Sequence, residues 1–286
     1  MESPRIVARD RHDDGIDAWE VARATPGAAL AGAVGGYSSY WERTSSFTAR
    51  RELASTAVVL IVNLGDVLEL CDGRGDVLRL GPGEGFVAGI HNATAISRST
   101  GTQAGVHVFL SHATLSRLLG LPLGHLLNRC VDLEAVLGPG IRSLCQRLGE
   151  TDDAGFRFTL LEQAIARRLA EAPPPDVAML HAERRLARGA SVAMLAAELD
   201  LSRQHFARRF RETTGLAPAA YAQLCRFERF CAAIAADPAA PLAELAPAAG
   251  YHDQPHLARA VRAFAAMTPG ELRQRLLPHG NGVRDG

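Results

Sequence analysis

The chain of 286 residues contains no lysine, so all 31 of its basic side chains are arginine, and they are balanced by 31 acids. Zero formal net charge excludes a general electrostatic attraction to polyanions, so any such contact depends on where the arginines sit. The missing lysine, with the abundance of Ala, Gly and Pro, reads as coding bias. Cysteine is scarce: Cys71, Cys130, Cys145, Cys225 and Cys231 are scattered, odd in number and without a CxxC pair. That argues against a disulfide framework or a zinc site and suits small buried hydrophobes in a reducing cytoplasm. No apolar run approaches the ~20 residues of a membrane span. The opening MESPRIVARDRHDDG is charged and lacks the apolar core of a signal peptide, so a cytoplasmic protein is expected. What is present, 47% hydrophobic and 22% charged residues, fits a globular chain long enough for two domains.

The charge is unevenly shared. Residues 176–278 hold 13 Arg against 10 acids, a net +3, and the remainder carries the opposite excess. Composition marks the boundaries. Residues 1–30 are polar and Gly/Ala-rich and read as a loose lead-in. Pro173-Pro174-Pro175 cannot continue a helix, which makes 173–176 an extended, stiff linker. Residues 279–286 read as a disordered tail. Between about 31 and 112 the pattern is β: the run Val58–Val62 has strand length, and DGRGD (72–76) and GPGEG (81–85) are turns. From Ala113 to Ala172 the spacing turns helical. The expected fold is therefore α+β and multidomain: a small β-barrel with a helical appendage over 31–172, then an all-α domain over 177–278.

The helical domain contains one arrangement twice. Ser191 and Ser202 are N-cap candidates for two short helices separated by Asp200-Leu201, and Gly215 suits a left-handed C-terminal position. In the second helix Phe206 and Phe210 share one face, leaving Arg203, Gln204, Ala207, Arg208 and Arg211 outward. About 50 residues later, LAELAPAAGY (242–251) and a helix from Asp253 repeat the layout, with Leu257, Val261 and Phe264 inward and Gln254, His256, Arg259 and Arg262 outward. The helix 218–236 lies between the two units, with Tyr221, Leu224, Phe227, Cys231 and Ile234 on its inner face. A helix of this width fits the major groove of DNA, where Arg reads guanine and Gln reads adenine, and a rigid bridge places two such helices in successive grooves roughly 34 Å apart.

The segment 177–278 resembles the AraC/XylS family of bacterial transcription regulators. The resemblance rests on LAAEL, LSRQHFARRF and TTGLAPAAY in the first unit and on LAELAPAAGY, DQPHLAR and MTPGELR in the second. It implies a sequence-specific DNA-binding regulator, active on promoter double-stranded DNA with RNA polymerase as a further partner, and named activator by family habit. By position it implies DNA contacts from Ser202, Arg203, Gln204, Ala207, Arg208 and Arg211, and from Asp253, Gln254, Pro255, His256, Ala258, Arg259 and Arg262. Arg211 and Arg262 fall at phosphate-contact places, and Ala207 and Ala258 can offer only apolar contact, for example to a thymine methyl. The chain departs from the pattern at Pro247 inside a helix, at Ala266 where the family has Gly, and at Leu257 and Val261 where it has Phe. These departures predict a second unit that is less stable or less tightly packed and reads fewer bases.

The first domain resembles, through GGYSSYWER (35–43), RRELAS (50–55) and VLIVNLGD (59–66), the cupin-like sensors that precede such DNA domains. That implies gating by a small-molecule effector or by pairing of two copies. Tyr37, Trp41, Arg50, Arg51, Phe86 and His107 are the candidate ligand-lining residues, with Tyr40, Phe47 and Phe109 also considered; an inward Arg50 or Arg51 would favour an anionic ligand. The alternative is a cupin-type enzyme carrying an accessory DNA-binding domain. His91, Glu84, His107 and His112 are its metal candidates, but none forms the HxH pair such sites use, so neither a metal, a cofactor nor a catalytic residue is expected.

Overall fold

The computed structural model of the chain describes residues 3–43, 49–99, 102–277 and 282–284. Its N-terminal part is built from β1 (Arg5–Asp13), β2 (Ala18–Thr25), β3 (Val34–Arg43), β4 (Ala49–Glu52), β5 (Val58–Asn63), β6 (Leu68–Cys71), β7 (Val77–Leu80), β8 (Gly85–Ala88), β9 (Ala95–Ser99), β10 (Thr102–Leu110) and β11 (Cys130–Asp132); β12 (Gly282–Arg284) comes from the far end of the chain. They form two antiparallel sheets, one ordered β1-β2-β3-β10-β5-β8-β11 and the other β12-β4-β9-β6-β7. The sheets face each other without closing into the expected barrel. The period-2 alternation explains the packing. Along β5 and β10, Val58, Leu60 and Val62 and then Val106, Val108 and Leu110 bury toward the helices. The opposite face of the large sheet presents Ile61, Phe86 and Ala88 to Leu68, Leu70, Leu78 and Leu80 of the small one.

Two segments differ from expectation. Residues 1–30 are not a loose lead-in: β1 and β2 form a hairpin at the edge of the larger sheet. The hairpin is disguised because β1 exposes charge on both faces, pairing Arg9 with Glu20 and Arg23 with Asp10 across the strands, and because the buried side of β2 is made of alanines, Ala18, Ala22 and Ala24. Likewise part of the tail expected to be disordered, residues 282–284, forms a strand. Gly282, Val283 and Arg284 pair with Glu52, Arg51 and Arg50 of β4, and a strand of three residues is too short to show a side-chain period.

The helices are α1 (His112–Leu119), α2 (Leu133–Leu137), α3 (Ile141–Gly149), α4 (Ala154–Ala170), α5 (Val177–Ala187), α6 (Val192–Glu198), α7 (Arg203–Thr214), α8 (Pro218–Ala236), α9 (Leu242–Ala249), α10 (Gln254–Ala265) and α11 (Pro269–Arg275). Among the described residues none is long and apolar enough to cross a membrane. Residues 173–176 carry no regular secondary structure between α4 and α5, and the connector is tied down: Arg117 donates to the carbonyls of Pro173 (2.6 Å) and Leu169 (3.1 Å).

The helical domain docks on the sheet domain, and one apolar core runs through both. The seam contains a buried polar node. His112 Nδ1 lies 2.8 Å from Glu183 Oε2, and Nε2 lies 2.8 Å from the Thr56 carbonyl oxygen. Both partners accept, so the ring donates from both nitrogens and is an imidazolium. Burial alone would lower its pKa; Glu183, the Thr56 carbonyl and Glu228 together outweigh that and hold it above the ordinary histidine value. Beside it, Glu228 accepts from the Ser55 hydroxyl (2.8 Å) and the Thr56 amide (2.7 Å).

Candidate DNA-reading surface

In the first unit each local feature does what the sequence pattern asks of it. Ser202 takes an extended conformation and its hydroxyl accepts from the His205 amide at 3.2 Å, starting α7. Phe206 and Phe210 are fully buried, their centroids 5.7 Å apart, and Phe210 meets Tyr221 of α8 edge-on at 5.3 Å. This clamps one face of α7. Gly215 ends the helix at φ +87°, and a Cβ there would lie 3.0 Å from the Leu123 carbonyl oxygen, so the site needs glycine twice over. Held in this way, α7 leaves Ser202, Arg203, Gln204, Arg208 and Arg211 exposed and Ala207 half-buried. Arg208 pairs with Glu212, one turn on, at 3.1 Å. Arg209 is different. It grips Asp176 through two bonds, 2.7 and 3.0 Å, and that same carboxylate caps α5. Three of the four arginines of α7 therefore face solvent, and the fourth fastens the unit to α5.

The second unit repeats the frame with weaker parts. Helix α9 runs straight through Pro247, whose missing N–H leaves the Ala243 carbonyl without its helical donor. Gly250 and the buried Tyr251 make the turn. Asp253 then caps α10 by accepting from the His256 amide at 2.7 Å. Leu257, Val261 and Ala265 are buried and Phe264 packs on Phe227 with centroids 5.3 Å apart. Ala266 ends α10 at φ +56°, a left-handed conformation that costs a residue with a Cβ about 1–2 kcal/mol. On the outer face Asp253, Gln254, Pro255, Arg259 and Arg262 are exposed, but Ala258 and His256 are half-buried. The His256 ring sits edge-on to Tyr251 at 5.1 Å and stacks with His252 at 6.2 Å. Fewer polar groups are free here than on α7.

The positions expected for the effector do not converge. Tyr37 points away from the space between the sheets: it is buried against α4, stacked on Phe158, and its hydroxyl donates to Glu162 at 2.9 Å. Trp41 shares that outer face of β3 and is 45% exposed. Phe86 is buried in the apolar contact between the sheets, and Arg51 is half-buried on β4. Phe47 lies outside the described residues. Arg50 and His107 do come together, with Tyr40 and, at 6.0 Å, Phe109 against the His107 ring, in a cluster with Glu42, Glu52 and Ser97. Arg50 bonds both oxygens of Glu42 (2.8 and 2.6 Å), and Ser97 donates to Glu52 at 2.8 Å. The His107 ring meets Tyr40 edge-on at 4.9 Å. Burial, with the Arg50 charge behind it, pulls His107 down to about 4, so it is neutral. Burial raises the Glu52 carboxyl. A cavity of about 540 Å³ opens elsewhere in the domain, lined in part by Leu64, Glu84, Leu133, Ile141, Arg142 and Cys145.

The metal candidates have separate duties. His112 belongs to the interdomain node, His91 holds the Gly89 carbonyl at 2.8 Å, and Glu84 accepts from the Gly81 amide at 2.6 Å. Among the described residues no group of three or more His, Cys, Asp or Glu is placed to hold a metal ion. The sequence reading missed Glu183, Glu228 and Glu162. Each is a carboxylate on an otherwise apolar helical face, and that placement is the signal that would have flagged them.

Two capped, outward-facing polar helices, each behind a short helix and a tight turn, define a double helix-turn-helix protein with a β-rich N-terminal domain. Residues 195–275 match the family model described as "Helix-turn-helix domain". A 1.65 Å structure of ToxT from Vibrio cholerae superposes with a TM-score of 0.50 at 11% identity, covering 83% of this chain and 98% of that one. Wild-type ToxT of strain SCE256 with an unsaturated fatty acid bound gives 0.47 at 10% identity, covering 79% and 91%. The AraC-like transcriptional activator CuxR gives 0.30 at 15%, covering 75% and 83%. These likenesses concern the fold. No curated protein sequence matches the chain.

Proposed function

We propose that the chain is a sequence-specific transcription regulator that binds promoter DNA by laying α7 and α10 in successive major grooves. One observation carries the reading: Arg203, Gln204, Arg208, Gln254 and Arg259 stand exposed on two helices whose opposite faces are locked into the core. Arg and Gln are the side chains that read base edges bidentately, and the net +3 of residues 176–278 supports the phosphate contacts assigned to Arg211 and Arg262. The capped starts of the two helices add amides that favour an anionic phosphate.

The β-rich domain gates this activity, either through a small molecule or through pairing of two copies, and RNA polymerase is the further partner. The Arg50–Glu42–Glu52–His107 cluster supports an effector site between the sheets, because half-buried polar side chains grouped on facing strands are placed to orient a ligand. The docked seam at His112, Glu183 and Glu228 supplies the route from that domain to the readers. The reading gives the chain no catalytic role. Selection from a pool of random duplexes tests it: the full chain is expected to enrich one motif with two parts, and enrichment indistinguishable from the starting pool overturns it. For the effector site, a metabolite panel is expected to contain a compound that raises the thermal transition of the wild type and does not raise that of Arg50→Gln.

A further inference from the structure

Helix α8 bridges the two units, and Arg229 sits past its middle. The half-buried guanidinium donates to two backbone carbonyls: Nη1 to Ala187 at 2.5 Å and Nη2 to Ala249 at 3.2 Å. Ala187 is the last residue of α5, to which Arg209 fastens the first reader; Ala249 is the last residue of α9, the helix that opens the second unit. Carbonyls at helix C-termini lack intrahelical donors and carry the negative end of the helix dipole. A planar fork of five donors can hold two such ends at once in a fixed geometry, which a lysine ammonium cannot.

Among the described residues, the ring contacts from α8 to the second unit are apolar. Phe227 meets Phe264 at 5.3 Å and Phe230 meets Tyr251 at 6.1 Å. Contacts of that kind fix proximity and leave rotation loosely defined, whereas hydrogen bonds are directional.

We propose that Arg229 is a positioning residue that sets the angle and separation of α7 and α10, and through them the half-site spacing the protein accepts. The inference rests on the reading of these helices as DNA readers. Adding one base pair between half-sites turns the second by about 34° and moves it about 3.4 Å. A rigid joint cannot follow that change; a loosened one can.

The test uses the duplex selected by the wild-type chain, a series with one or two base pairs added or removed between its halves, and a duplex carrying the α7 half-site alone. Wild type is expected to lose roughly tenfold or more affinity at the first spacing change, as the second, intramolecular contact fails. Arg229→Gln is expected to bind the parent duplex several-fold more weakly, to vary by less than about threefold across the series, and to match wild type on the isolated half-site. Arg229→Lys, which keeps the charge and loses the fork, should behave like Arg229→Gln. Equal spacing dependence in wild type and Arg229→Gln overturns the inference. So does a loss on the isolated half-site as large as on the full duplex, since the damage would then not be one of positioning. If wild type selects no duplex, the DNA-reading function itself falls, a result seen before any substitution is made.

Discussion

The two readers share one plan and differ in how firmly they are built. The first has a serine cap, a pair of fully buried phenylalanines, a glycine at its left-handed end and a two-bond ion pair to α5. The second has a proline inside its first helix, aliphatic side chains where the first has phenylalanines, an alanine forced left-handed, and a histidine drawn down onto Tyr251. One helix-turn-helix frame thus tolerates a wide range of parts, provided that the caps and the buried stripe remain. On the proposed reading, the first unit is expected to anchor the protein on DNA and the second to add less.

The contrast is broken most severely at Phe210. Truncating it to alanine removes a ring that is 0% exposed and should cost about 3–5 kcal/mol of stability; denaturant titration of Val261→Ala, its counterpart in the second unit, should show a smaller loss. If the two losses are equal, the first unit is not the firmer one.

His112 links this comparison to the sheet domain. Replacing it with alanine leaves Glu183 buried without its partner and should cost about 3 kcal/mol. Its pH signature is separate. Because the folded state raises the pKa of His112, its contribution is fully present below the unfolded histidine value, ~6.5, and is lost as pH rises through the folded value. Wild type should therefore lose stability on the alkaline side, and His112→Gln should lose less over the same range. A steeper alkaline loss in His112→Gln contradicts the imidazolium assignment.

At the DNA surface, Arg208→Ala should cost about 1–3 kcal/mol and relax preference at one base step, whereas Arg262→Ala should weaken all sequences alike and lower the salt slope by about one. Competition titrations at several salt concentrations distinguish the two patterns; uniform weakening by Arg208→Ala would remove it from base reading.

The smallest expected effect sharpens the comparison instead of breaking it. Ala266→Gly relieves the left-handed alanine and should stabilise the protein by about 1 kcal/mol, read as a rise in Tm. No rise would mean that the second unit carries no strain at that end.

The helical domain was far more legible in the sequence than the sheet domain. Capping serines, Phe206 and Phe210 at four-residue spacing and Gly215 are local signals, and each determines its own neighbourhood. The β1–β2 hairpin was hidden by charge on an edge strand and by a core face of alanines, and β12 by its length of three residues, of which only Val283 is buried in the core. The polar cluster between the sheets was half visible: Tyr40, Arg50 and His107 stood out in the sequence, but Glu42, Glu52 and Ser97 join them only when β3, β4, β9 and β10 come together. The His112–Glu183 contact spans two domains, so no window of sequence contains it. Tyr37 was misplaced for the simplest reason, since the two faces of β3 cannot be told apart before the layers on either side are known.

Chemical footprinting of the full chain on its selected duplex is the most direct measurement. The expected result is two protected major-groove patches about one helical turn apart on one side of the DNA, the stronger lost with Arg208→Ala and the fainter with Arg259→Ala. A single patch insensitive to both substitutions, or even protection along the duplex, would contradict a pair of readers acting on adjacent grooves.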